Sequence, residues 1–147
     1  MENLIGRAKM GMIVGKWGQY KTFLSLDMAV ALAGQSPWPV LVDENCKHFD
    51  VPKALRVLYL AAEGGAAESH QRNEAALQNR RKIDCELVSG NFVLAAASAP
   101  LDTTTGQHAI VDVIERATKQ MGGSPEVIFC DTLAKSMAGE ENSNTDM

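Results

Sequence analysis

Gly15-Lys16-Trp17-Gly18-Gln19-Tyr20-Lys21-Thr22 decides how this chain is read. The phosphate-binding loop pattern is G-x-x-x-x-G-K-[ST], set between a strand and a helix. Gly15, Lys21 and Thr22 match its spacing, and Tyr20 stands where the pattern has its second glycine. The chemistry requires this arrangement. Backbone N–H groups curl around a phosphate, and the following helix points its positive end at it. In such a loop Lys21 neutralises β/γ-phosphate charge and the Thr22 hydroxyl coordinates Mg²⁺. Tyr20 is costly only if its position needs a positive φ or a close backbone approach, and Gly18 supplies part of the freedom. The same residues also fit a glycine-containing turn carrying an exposed lysine.

Outward from the loop, the order of elements is informative. Met10-Gly11-Met12-Ile13-Val14 reads as a buried strand leading into Gly15. Lys21 to Ala33 reads as a helix that is apolar nearly all round, with Ser25 and Asp27 as its polar interior positions, and so as a buried helix. Gly34 is its stop signal. Residues 34–54, with Pro37, Pro39 and Pro52, read as an irregular connection or as one holding a short strand at Val40-Leu41-Val42.

Arg56 to Ala62 is a second buried strand, ending at Glu63-Gly64-Gly65. Ala66 to Lys82 is a polar helix covering one sheet face. Cys85 to Val88 and Asn91 to Leu94 are short strands around a turn at Ser89-Gly90. Gln107 to Met121 has helical spacing, and Val127 to Cys130 is a last strand ending at Asp131. Strands alternating with helices predict an α/β fold with a mainly parallel sheet flanked by helices.

Ligands of such sheets bind beyond the carboxyl ends of the strands. Two acids stand there besides the loop. Glu63 follows an apolar strand and precedes two glycines, which suits a group that orients an attacking water; it equally suits a cap on the next helix. Asp131 follows four apolar residues, the Walker B pattern, whose aspartate holds Mg²⁺ through water; a strand followed by an Asp turn is the plainer alternative. Thr132 occupies the position after Asp131, so the base does not directly follow the Walker B aspartate.

With these residues in place, the chain resembles a family. GKWGQYKTFLSLDMAVALA (15–33) resembles the P-loop and first helix of RecA-like ATPases of the plasmid RepA helicase type. VLYLAAEGG (57–65) resembles the strand that carries their catalytic glutamate, and VIFCDTLAKSMAGEENSNTDM (127–147) their Walker B strand and the acidic-polar loop after it. An aromatic residue at position 20 resembles a variation among phage-type members. The resemblance implies an ATP site formed by Gly15, Lys16, Trp17, Gly18, Gln19, Tyr20, Lys21, Thr22 and Phe23. It implies Glu63 and Lys21 as catalytic residues, and Thr22 and Asp131 as the holders of Mg²⁺.

It further implies a ring-forming helicase or translocase subunit of DNA replication, a hexamer in the full-length protein. Two alternatives stay open: a nucleotide-binding regulator or scaffold without motor activity, and a recombinase-like DNA repair ATPase. Family members continue into strands carrying a γ-phosphate sensor, DNA-contacting loops and an arginine finger. The expectation is therefore that residues 1–147 are the amino-terminal part of a larger RecA-like domain. DNA contact is expected through regions beyond it.

Composition agrees with this reading. The 147 residues, 46% hydrophobic, suit one packed unit. Lys and Arg number 14 against 18 Asp and Glu, a net charge of −4, which excludes an overall basic nucleic-acid domain but not a local basic groove. No apolar run approaches the roughly 18 residues of a membrane span, and residues 1–7 lack the apolar core of a secretory signal. Cys46, Cys85 and Cys130 are too scattered for a disulfide framework, so a cytoplasmic location is expected.

Other residues read as structural. Arg72 and Arg80-Arg81-Lys82 suit a solvated helix face, with DNA contact as the alternative. Cys46 and His48 lack a second metal-ligand pair. Cys130 reads as a small core residue, and Trp38 packs the long connection or meets a neighbouring subunit.

Overall fold

The computed structural model describes residues 9–16, 18–38, 49–62, 65–78, 80, 83–96 and 99–132. Its elements, in chain order, are α1 (Lys21–Ala33), β1 (Val57–Ala61), α2 (Gly65–Gln78), α3 (Cys85–Asn91), β2 (Phe92–Ala96), α4 (Thr104–Met121) and β3 (Val127–Asp131). The strands form a parallel sheet in the order β2-β1-β3, with Val57 level with both Phe92 and Val127, and Ala61 level with both Ala96 and Asp131. The α/β fold with a parallel sheet flanked by helices is as the sequence predicts.

Strand alternation assigns the two faces. Val57, Tyr59, Phe92, Leu94, Val127 and Phe129 belong with the buried side chains of α1. Leu58, Leu60, Val93 and Ala95 face α4 through Ala117, Ile110, Val113, Ile114 and Met121. β1 is central, so all five of its residues are buried. Truncating Leu58 to alanine would cost about 2–5 kcal/mol, as for other fully enclosed leucines.

The connections are set by local chemistry. α1 is rich in alanine and leucine, strong helix formers. It stops at Gly34, whose N–H donates to the Val30 carbonyl; a Cβ there would meet Ile83 and Val88 at 2.6 and 2.8 Å, so α1 turns away tightly against α3. The long connection is pinned where it leaves and returns. Trp38 and Phe49 exchange backbone hydrogen bonds of 3.0 and 2.7 Å and stack their rings, and Trp38 is buried in the core.

Several expectations are corrected. Met10–Val14 forms no strand; it is exposed, Met10 by 94% and Val14 by 81%. Among the described residues no strand pairs with it, and a strand without a ladder leaves its backbone to water. Cys85–Val88 and the Ser89-Gly90 turn are one helix, α3, because the Asp84 carboxylate accepts from the Glu86 and Leu87 N–H groups at 3.0 Å each and caps it. α2 ends at Gln78, short of the expected Lys82, and α4 begins at Thr104, ahead of Gln107.

Cys130 is exposed. It lies on the α4 side of the sheet, and α4 covers β1 and β2 without reaching it. Arg80 is buried, so it belongs to no solvated face. Val40-Leu41-Val42, Cys46, His48, Arg81, Lys82 and the acidic-polar loop lie outside the described residues. Among the described residues no helix is long and apolar enough to cross a membrane.

Candidate functional site

The loop before α1 takes the conformation that its glycine pattern calls for. Gly18 has φ 78, and Tyr20, at the helix start, has φ 55 and ψ 25. Position 20 is thus left-handed backbone, a region that costs a non-glycine residue about 1–2 kcal/mol. Its ring offsets little of this, being 76% exposed and 6.0 Å from the Phe23 ring. No side chain caps the start of α1, so its first N–H groups face the loop with the positive end of the helix dipole behind them.

The loop satisfies some of its own groups. Lys21 Nζ curls back and donates to the carbonyls of Gly15 and Lys16, 2.9 Å each. The Gln19 side-chain oxygen accepts from the Lys16 N–H at 2.7 Å. That oxygen sits on a loop N–H of the kind a phosphate oxygen would take. The loop is therefore shaped around an acceptor, with the Gln19 amide supplying one.

Behind the loop, Thr22 of α1 and Asp131 at the end of β3 line one small cavity, of about 10 Å³ and so about the size of a water. Tyr59, Ser69 and Arg72 line it as well. The carboxyl ends of β1 and β3 lie side by side, since the Ala62 N–H donates to the Asp131 carbonyl at 2.7 Å. Tyr59 is only 1% exposed. Its hydroxyl donates to Asp131 Oδ2 at 2.8 Å and meets Ser25 Oγ at 2.7 Å. Burial is the main cause holding the Tyr59 hydroxyl far above its ordinary pKa, and the negative charge of Asp131 adds to it; it is a neutral donor at any physiological pH.

Among the described residues no group of three or more His, Cys, Asp and Glu side chains could hold a metal ion. A hydroxyl and one carboxylate at a shared cavity are hard oxygen donors that fit Mg²⁺, which keeps several waters and takes the rest of its shell from substrate phosphates. Of the sequence-predicted site residues, the structure brings together Gly15, Lys16, Gly18, Gln19, Tyr20, Lys21 and Thr22 in the loop and Asp131 behind it. Phe23, half-exposed on the first turn of α1, has the Arg72 guanidinium 5.7 Å from its ring centroid. Glu63 and Trp17 lie outside the described residues.

Sequence reasoning missed Ser25, Tyr59 and Arg72. Tyr59 is the only polar-tipped residue in the run Val57–Ala61, and that was its signal. Arg72 does not share a face with Arg80 as expected: it stands at the cavity, paired with Glu68, whereas Arg80 is enclosed against α1.

Comparison with the curated proteins gives no match, and comparison with the solved structures gives none either. The family model AAA_25, described as an AAA domain, matches residues 1–147. A parallel α/β sheet with a phosphate-loop pattern at the start of α1 and an aspartate at the end of β3 fits that match, and the chain belongs to this family of P-loop AAA ATPase domains.

Proposed function

We propose that the chain is the ATP-binding part of a RecA-like, Mg²⁺-dependent ATPase linked to DNA replication, a helicase or translocase subunit of the RepA type. One observation carries the site: Thr22, next to Lys21 at the start of α1, and Asp131, at the end of β3, line the same cavity. Residues 15–22 cradle the phosphates, with the uncapped start of α1 as the anion-facing end. Lys21 leaves the Gly15 and Lys16 carbonyls to pair with β/γ-phosphate oxygens. Thr22 and Asp131 hold Mg²⁺, which when bound offsets charge on those phosphates. Glu63 orients the attacking water and takes up its proton.

Residues 1–147 form part of the RecA-like domain, which assembles as a homo-oligomeric ring, a hexamer. DNA contact and the arginine that completes hydrolysis come from further sequence and from the neighbouring subunit. In the full-length protein, Lys21→Ala should abolish ATP binding or turnover, and unchanged ATPase would reject the assignment. Glu63→Gln should bind ATP and fail to hydrolyse it; retained turnover would remove Glu63 as the base.

A second reading, a nucleotide-binding regulator without motor activity, is favoured by the self-bonded loop and by Tyr20 in a left-handed position. ATP turnover measured with and without single-stranded DNA separates the two. Stimulation by DNA excludes the regulator, and turnover indifferent to DNA excludes the motor.

A further inference from the structure

We propose that Tyr59 is a positioning residue that fixes the Asp131 carboxylate for a hydrated divalent cation. The inference rests on the reading of Thr22 and Asp131 as the residues that hold Mg²⁺. It adds a device that couples the two behind the site.

The observation is a continuous run of short polar contacts between those two residues. Ser25 Oγ lies 3.0 Å from the Thr22 carbonyl and 2.7 Å from the Tyr59 hydroxyl, which in turn donates to Asp131 Oδ2 at 2.8 Å. The run crosses from α1 to β3 through β1, the central strand of the sheet. Three contacts share two hydroxyl protons. With the Tyr59 proton on Asp131, the single Ser25 proton is shared between the Thr22 carbonyl, to which Ser25 Oγ donates at 3.0 Å, and the Tyr59 oxygen at 2.7 Å. The share that reaches the Tyr59 oxygen polarises the Tyr59 hydroxyl toward the carboxylate, and the bond to Asp131 is charge-assisted, stronger than a neutral one.

Tyr59 is held well enough to serve as a reference point. It is enclosed in the core, and its ring stacks on Phe129 at 5.7 Å with the planes 19° apart. A phenylalanine would fill the same space with no hydroxyl to desolvate, so the packing alone does not call for tyrosine. Asp131 sits at the last residue of β3, only partly buried, where a carboxylate has rotamers to choose among. One bond from a fixed hydroxyl selects among them. It uses one of about four lone-pair sites on the carboxylate and leaves the rest for the cavity shared with Thr22.

The test reads binding. In the full-length protein, the affinity of a fluorescent ATP analogue is measured from zero to saturating Mg²⁺. Tyr59→Phe should raise the Mg²⁺ concentration at half effect by about tenfold, the size of one hydrogen bond to a charged group, while affinity without Mg²⁺ stays at the wild-type value. Ser25→Ala, which keeps the Tyr59–Asp131 bond and removes its support, should shift the midpoint the same way by less, and it serves alone if Tyr59→Phe does not fold.

A wild-type midpoint in both variants overturns the proposal. So does a loss of affinity that is equal at every Mg²⁺ concentration including zero, the mark of a purely structural role. Asp131→Asn separates the levels. If it shifts the midpoint and the other two variants do not, only the role of Tyr59 falls. If it leaves Mg²⁺ dependence intact, the metal reading of Asp131 falls and this proposal with it.

Discussion

Arg80 grips Asp27 with two nitrogens along one edge of its guanidinium: Nη2 lies 2.9 Å from Oδ2 and Nε lies 3.0 Å from Oδ1. The other N–H groups reach the Asp27 carbonyl at 3.0 Å, the Pro37 carbonyl at 3.0 Å and the Ser36 hydroxyl. All five donors of the fork are used, with the Arg80 side chain only 2% exposed. The pair clamps the middle of α1, the connection after it and the segment after α2 into one unit, and so holds the helix that carries Lys21 and Thr22. Arg80→Ala should destabilise the fold by about 3 kcal/mol, since it strands a partly enclosed carboxylate. Arg80→Lys should recover less than half, because a point charge cannot make the bidentate contact. Urea unfolding measures both, and an alanine variant within about 0.5 kcal/mol of wild type would show that the clamp is dispensable.

The same pair shows what the sequence could and could not convey. The α1 boundaries were readable because they rest on local signals, apolar residues ending at Gly34. β1 and β3 were readable because a run of four or five apolar residues before an acid needs no partner to be recognised. Arg80 was not, since its partner lies 53 positions away; the one hint was Asp27, a carboxylate within the otherwise buried run 25–33 of α1. α3 was misread as a strand because its seven residues are too short for helical periodicity to show, although Asp84 followed by Glu86 was a helix-start signal. At the site, spacing alone gave the loop and Asp131. Tyr59 and Ser25 could be found only once folding had placed α1, β1 and β3 together.

Gln19 is expected to compete with phosphate. Its side-chain oxygen holds the Lys16 N–H at 2.7 Å in an exposed position, and a bound phosphate would need that donor. Breaking one neutral, solvent-facing hydrogen bond costs about 0.5–1.5 kcal/mol. Gln19→Ala should therefore tighten ATP binding by a few-fold. Calorimetric titration of ATP checks it, and weaker binding in the variant would instead make Gln19 a direct contact to the nucleotide.

Glu126 should give a small, pH-dependent contribution to stability. Its carboxylate meets Lys53 Nζ at 2.7 Å and the Arg56 N–H at 3.2 Å, joining the start of β3 to the residues before β1. The Lys53 hydrogen bond first, then the Arg56 N–H, hold its pKa below the ordinary value. A group whose pKa is lowered by folding contributes fully above its unfolded pKa, about 4.3, and loses that contribution as pH falls through the folded value. Glu126→Gln should then be less stable than wild type at pH 7, by under about 1 kcal/mol for a pair this exposed. The gap should close as the pH drops below 4. Paired thermal melts across that range test it, and a gap that widens in acid would contradict the assignment.

Tyr20→Gly separates the conformational cost of the loop from any work its aromatic ring does. At φ 55 and ψ 25 glycine carries no steric penalty, although its freer unfolded chain takes back about 0.5–1 kcal/mol. The ring gives up little on removal, because it is mostly exposed. Against a left-handed cost of about 1–2 kcal/mol, the variant should gain stability of up to about 1 kcal/mol, read as a higher melting temperature. ATP affinity decides what tyrosine does there. If the ring stacks on the nucleotide, the stabilised variant binds ATP more weakly. If the ring only fills the place of a glycine, the variant binds at least as tightly as wild type. A variant that melts lower would show that the Tyr20–Phe23 contact, 6.0 Å between centroids, outweighs the backbone cost and holds the loop in shape.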